Sequence, residues 1–133
     1  MGQLTTTRAV VERYLAALNA GDADAIAACV TDDFHNEHTS AAGRSLRGRA
    51  AYRDRLGGFL AEFQGLRYDV DDLLVDGDRA AVGYRMSFRL ADPAGVLKPV
   101  AVRGMFWFRV SEGLIAHRRD YWDGTTVQQQ LAK

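Results

Sequence analysis

The sequence predicts an α+β domain in which three helices come first and cover one face of a curved antiparallel sheet. Three observations carry this prediction. Before residue 64, apolar residues recur three times at helical spacing. After Gly65 the period changes to two and holds to about residue 123. That second half is interrupted by Asp76-Gly77-Asp78, Asp92-Pro93-Ala94-Gly95 and Ser111-Glu112-Gly113, all of them turn chemistry.

The first helix is marked by Val10, Val11, Tyr14, Leu15 and Leu18, with Thr5, Thr6 or Thr7 as its cap and Gly21 at its end. Asp22 caps a second, short helix running to about Val30 through Ala23, Ile26 and Ala27. Residues 34–38 are short and extended, and residues 39–46 carry loop chemistry. Tyr52, Leu56, Phe59, Leu60 and Phe63 form the stripe of a third helix that closes at Gly65. Strands follow near 66–75, 79–91, 97–110 and 114–123, joined as a meander, with a short helix or frayed tail after Gly124. Asp69, Asp71 and Asp72 form an acidic edge that fits strand alternation only with a bulge.

The chain is 133 residues long, enough for one domain with a real core, and the whole of 1–133 is expected to form it. Lys and Arg number 17 against 17 Asp and Glu, which removes the general attraction on which nucleic-acid and membrane-surface binding relies. No nucleic acid and no membrane are therefore expected as partners. Cys29 alone cannot form an intramolecular disulfide, and it reads as a buried small hydrophobe. The N-terminus lacks the apolar stretch of a signal peptide, so a cytoplasmic location is expected.

Alternation assigns faces. Val82, Tyr84, Met86, Phe88 and Leu90 point one way, as do Val100, Val102, Gly104, Phe106, Phe108 and Val110. These belong inside, against the helices. The opposite face carries Met105 and Trp107 beside Arg85, Arg89 and Arg103, a mix enriched at interfaces, and predicts a homodimer through the outer face of the sheet. Phe34, Asn36 and His38 share one face of the short strand, and Arg118, Asp120 and Trp122 share one face of the last. The run His35-Asn36-Glu37-His38 lacks the helical HExxH spacing, and a strand sends its two histidines to opposite faces, so no metal is expected there.

The stretch VVERYLAALNAGDADAIAACVTDDF resembles the opening of the nuclear transport factor 2-like superfamily, especially ketosteroid isomerases and SnoaL-like polyketide cyclases. The closing stretch EGLIAHRRDYWDGTTVQQQLA, with GYRMSFRL in the middle, is similar to SnoaL-like proteins and limonene-epoxide hydrolases. The resemblance implies a cone-shaped curved antiparallel sheet against three N-terminal helices, the cystatin-like fold, with a deep apolar pocket and no cofactor. It also implies roles for single residues. Tyr14 matches the oxyanion-stabilising tyrosine of the isomerases. His38 falls where those isomerases place a carboxylate base, and Asp120 matches an acid/base carboxylate of epoxide hydrolases and SnoaL-like cyclases. Tyr84, Met86 and Phe88 fall on pocket-lining positions.

Three departures from those families stand out. Phe106 replaces the isomerases' second, acidic oxyanion donor, histidine replaces their carboxylate base, and Tyr84 and Met86 replace the Arg and Asp of the epoxide-hydrolase site. What emerges is a candidate catalytic set of Asp120, His38 and Tyr14. Asn36, Tyr84, Met86, Phe88, Phe106, Arg118 and Trp122 are candidates for binding substrate. An unperturbed histidine pKa of about 6.5 suits proton abstraction, and a neighbouring carboxylate would favour the imidazolium. Isomerisation, cyclisation or dehydration of a small apolar carbonyl compound is the leading expectation. The alternatives are a non-catalytic small-ligand-binding domain and a hydrolase in which Asp120 and His38 activate water.

Overall fold

A computed structural model describes residues 6–40 and 43–133. Helix α1, Thr7–Ala20, starts where the Thr6 side chain accepts a 3.1 Å hydrogen bond from the Ala9 amide. It ends at Gly21, whose φ of 66° lies in the left-handed region. Of the other two residues expected as possible caps, Thr7 is the first residue of the helix and Thr5 lies outside the described residues. Helix α2 spans only Ala23–Ala27, capped by Asp22. The expected extension to Val30 is corrected: Cys29 offers its carbonyl to the Ile115 amide at 2.9 Å, and Val30 pairs with Ile115 as the first residue of a strand. Long-range pairing outweighs the helical stripe there, and a β-branched residue suits the outcome.

Strand β1 is Val30–His38, longer than the expected 34–38. The expected loop is broken by β2, Leu46–Arg47, which pairs antiparallel with β1. Helix α3, Arg49–Glu62, buries Tyr52 and Leu56 and ends before Phe63, two residues earlier than Gly65. Four long strands follow: β3, Gln64–Asp76; β4, Arg79–Ala91; β5, Leu97–Ser111; and β6, Leu114–Trp122. The C-terminal segment is an ordered helix, α4, Gly124–Leu131, capped by the Asp123 side chain. Among the described residues the three expected N-terminal helices are present, and α4 is the short helix that was one of the two alternatives after Gly124. No helix among the described residues is long and apolar enough to cross a membrane.

The six strands among the described residues form one sheet in the order β2-β1-β6-β5-β4-β3. The sheet is mixed, which corrects the antiparallel expectation: β1 runs parallel to β6, while every other pair is antiparallel. A parallel neighbour needs a long crossover, and here α3 and the meander lie between β1 and β6 in the chain. The expected bulge on the acidic edge is present, as a register shift between Val70 and Asp72.

The inward set behaves as alternation requires. Val82, Tyr84, Met86 and Phe88 on β4 are buried, as are Val100, Val102, Phe106, Phe108 and Val110 on β5. Helix α1 lays Val10, Val11, Tyr14 and Leu18 against this face, where the Tyr14 ring meets Phe108 edge-on at 5.7 Å. The core therefore lies between the concave face of the sheet and the helices.

Candidate active site

Parallel pairing of β1 with β6 sets two polar rows side by side. Asn36 lies opposite Arg118 and His38 opposite Asp120, all four turned toward the helices. They face a cavity of about 590 Å³ whose polar end also holds Tyr52 and Tyr68. Its apolar walls come from Leu18, Leu56, Phe59, Phe63, Met86, Phe88 and Trp122. A shallower recess between α2 and α3 is different in kind, because its Arg49 and Arg53 are each tied to an aspartate at 2.6 Å.

Arg118 is the hub. Its Nε donates to Asn36 Oδ1 at 2.9 Å, its Nη1 to the Tyr14 hydroxyl at 3.0 Å, and its Nη2 to His38 Nε2 at 3.3 Å. Its guanidinium also lies over the Phe106 ring, 5.0 Å from the centroid. Arg118 is 5% exposed and makes no ion pair among the described residues. The Tyr14 hydroxyl lies 2.5 Å from that of Tyr52, so a chain of polar groups runs from Arg118 through Tyr14 to the cavity wall.

These contacts define the state of His38. A guanidinium only donates, so Nε2 must accept, and in a neutral ring the proton then sits on Nδ1. Burial, reinforced by the charges of Arg118 and Arg55, pushes the His38 pKa down to about 3. The expected imidazolium is therefore reversed, since burial and a guanidinium bonded to the ring outweigh a carboxylate that makes no bond to it. Among the described residues the buried Nδ1 has no hydrogen-bond partner. The Asp120 carboxyl oxygen Oδ2 lies 3.8 Å away.

Asp120 is 5% exposed. Its Oδ1 accepts a 2.5 Å hydrogen bond from the Tyr84 hydroxyl. Burial pushes its pKa up, against the opposing effects of Arg118 and the Tyr84 bond. The result is a carboxyl group held by one oxygen, with the other next to an unmatched N–H. A single oxygen atom seated beside both could accept from His38 and donate to Asp120.

Of the residues singled out in the sequence, His38, Asp120, Asn36, Met86, Phe88, Arg118 and Trp122 line this cavity. Tyr14, Tyr84 and Phe106 lie behind the lining, where Tyr14 reaches it through Arg118 and Tyr52, and Tyr84 through Asp120. Phe106 sits opposite Asp120 on the neighbouring strand and packs against Tyr84, with ring centroids 4.5 Å apart. Sequence reasoning missed Tyr52 and Tyr68 as polar wall residues, and Arg55 at the rim. Tyr52 fits the apolar stripe of α3, and nothing in periodicity separates a core tyrosine from one that lines a cavity.

This α+β fold is shared with solved structures described as ketosteroid isomerase-like in fold and as nuclear transport factor 2-like. The chain belongs to the SnoaL-like domain family, whose model matches residues 11–118. Three solved structures are similar to it in fold. A protein described as a candidate polyketide cyclase from Pseudomonas putida is 24% identical with a TM-score of 0.80, covering 96% of this chain and 98% of its own. A Catenulispora acidiphila protein with a ketosteroid isomerase-like fold, crystallised with trimethylamine, is 19% identical with a TM-score of 0.83, covering 96% and 95%. An epoxide hydrolase of the limonene-epoxide-hydrolase-like type from M. tuberculosis is 21% identical with a TM-score of 0.78, covering 95% and 89%. Comparison with curated proteins finds no match.

Proposed function

We propose that this chain is a cofactor-independent acid/base enzyme acting on a small, largely apolar carbonyl compound by isomerisation, cyclisation or dehydration. The observation that carries this reading is the pairing, at one end of an apolar cavity, of a buried carboxyl with raised pKa and a buried guanidinium without an ion-pair partner among the described residues. A carboxylate raised toward neutrality is a better proton acceptor than an exposed one. Asp120 takes the proton. Arg118 and the Tyr52 hydroxyl stabilise the charge that develops on the substrate oxygen, and His38 acts as a hydrogen-bond donor through Nδ1–H. Tyr14 positions Arg118 and Tyr52.

A second reading, activation of water for hydrolysis, is favoured by the 3.8 Å spacing between His38 Nδ1 and Asp120 Oδ2, which one water oxygen can bridge. One experiment separates the two. Aromatic and 1,3-dicarbonyl compounds are incubated with the protein in D₂O and followed by NMR, in parallel with epoxides in ¹⁸O-labelled water. Deuterium at a carbon next to a carbonyl, lost in Asp120→Asn, supports the first reading; ¹⁸O in the product supports the second. Ligands that bind but undergo neither change would make the domain a non-catalytic binder.

We also infer a homodimer through the outer face of the sheet. Support comes from Met105 and Tyr121, register partners on that face that are 46% and 44% exposed. Light scattering on the intact chain tests it, and replacing Met105 with Glu should shift the mass to that of a monomer.

A further inference from the structure

On the side of the sheet away from the cavity, His35, Glu37 and His117 come together. The parallel register pairs His35 with His117, so alternation turns His35 and Glu37 outward where Asn36 and His38 turn inward. The two imidazoles stack with centroids 4.4 Å apart and planes 18° from parallel. Glu37 Oε1 lies 2.8 Å from His117 Nε2. One nitrogen of each ring and a carboxylate oxygen all lie within 4.8 Å of one another, and all three residues are half-buried.

We propose that His35, Glu37 and His117 form a binding site for a borderline divalent transition-metal ion of the Zn²⁺ class, with water or an exogenous anion completing the coordination. Two imidazoles and one carboxylate are a donor set for such ions, whereas Mg²⁺ and Ca²⁺ require oxygen ligands. Bonds of about 2.0–2.2 Å in a tetrahedral site put donor atoms roughly 3.3–3.6 Å apart. Coordination requires the donors to close from 4.8 Å and the two stacked rings to tilt so that their in-plane lone pairs converge, while the strand register already holds the backbones side by side.

The surroundings orient the ligands. The Trp107 ring packs edge-on against His117 at 5.1 Å, and Arg119 lies over Trp107 while donating to Glu37 Oε1 at 3.3 Å. The positive charges of Arg119, and of Arg47 paired with His35, oppose a bare cation and favour an anion as the remaining ligand. The ion takes the place of the His117–Glu37 hydrogen bond. This site stands independently of the cavity and of the proposed reaction.

Zn²⁺ titrated into the full chain by calorimetry should bind saturably at one ion per chain and raise the melting temperature. His35→Ala and His117→Ala should each weaken binding by about tenfold or more. His38→Ala, on the opposite face, should leave binding intact. The unmodified chain provides a reading that needs no variant: Cu²⁺ should broaden the amide NMR signals of residues 35–37 and 117 first. Absence of saturable binding at millimolar Zn²⁺, broadening centred elsewhere, or affinity unaffected by both substitutions would overturn the proposal.

Discussion

The Tyr84 hydroxyl donates a 2.5 Å hydrogen bond to Asp120 although β5 runs between their strands. The reach depends on Gly104, which is the register partner of Tyr84 on one side and of Trp122 on the other. A Cβ at Gly104 would overlap the Tyr84 ring and hydroxyl. The glycine is a gap through which the phenol passes over the sheet to the carboxyl.

Gly104→Ala should therefore push Tyr84 away from Asp120 and cost about 1–3 kcal/mol as an overpacked core substitution. Urea denaturation measures this, and an unchanged midpoint would show that the sheet absorbs the methyl group freely. Tyr84→Phe, which leaves the space but removes the donor, should cost about 1–3 kcal/mol by leaving a buried carboxyl oxygen unpaired.

The two tyrosines of the 2.5 Å pair should behave differently. Tyr52 lines the cavity and Tyr14 does not. Tyr52→Phe is expected to weaken binding of a substituted phenol, a stable mimic of a charged substrate oxygen, and to lower turnover of any substrate by about 100-fold. Tyr14→Phe should have the smaller effect, because it acts through Arg118 and Tyr52. The reverse order would return the direct role to Tyr14.

Stability should depend on pH with two opposite contributions. His38 has a native pKa of about 3 against 6.5 when unfolded, so the unfolded chain takes up a proton that the native chain refuses. Its contribution is complete above about 6.5 and declines as pH falls toward 3. His38→Gln should be the less acid-sensitive protein, with its advantage over wild type growing between pH 7 and pH 4. Asp120 has the reverse sign: its native pKa lies above 3.8, so its contribution weakens as pH rises past that value. Asp120→Asn should therefore be more stable than wild type at pH 7 and lose that advantage in acid. Denaturation midpoints across the range test both.

Glu112 and Gly113 join β5 to β6 with φ values of 53° and 78°. Both central residues of a type I′ turn need positive φ, which Asn-Gly meets better than Glu-Gly. Glu112→Asn should stabilise the fold by roughly 0.5–1 kcal/mol, seen as a higher melting temperature.

Much of the scaffold was legible in the residues alone. The alternation of β4 and β5, the caps at Thr6, Asp22 and Gly21, and the turns at Gly77 and Gly113 are local properties, and the structure repeats them. Val30 continues a helical stripe with Ile26 and Ala27 in the sequence, and only Ile115, far along the chain, supplies the competing strand partner. The parallel β1–β6 pairing was likewise invisible, since no short-range pattern records which strands meet.

By itself, the sequence determined which side chains share a face: Asn36 and His38 on β1, and Arg118, Asp120 and Trp122 on β6. Tertiary structure decided what those residues are chemically. Arg118 stands 80 positions from His38, yet its bond to Nε2, together with burial, makes that histidine a neutral donor instead of a cation. The same strand register that makes the inner cluster brings His117 to His35 and Glu37 outside. Protonation and ligand geometry depend on neighbours through space, and those are set only when the strands pair.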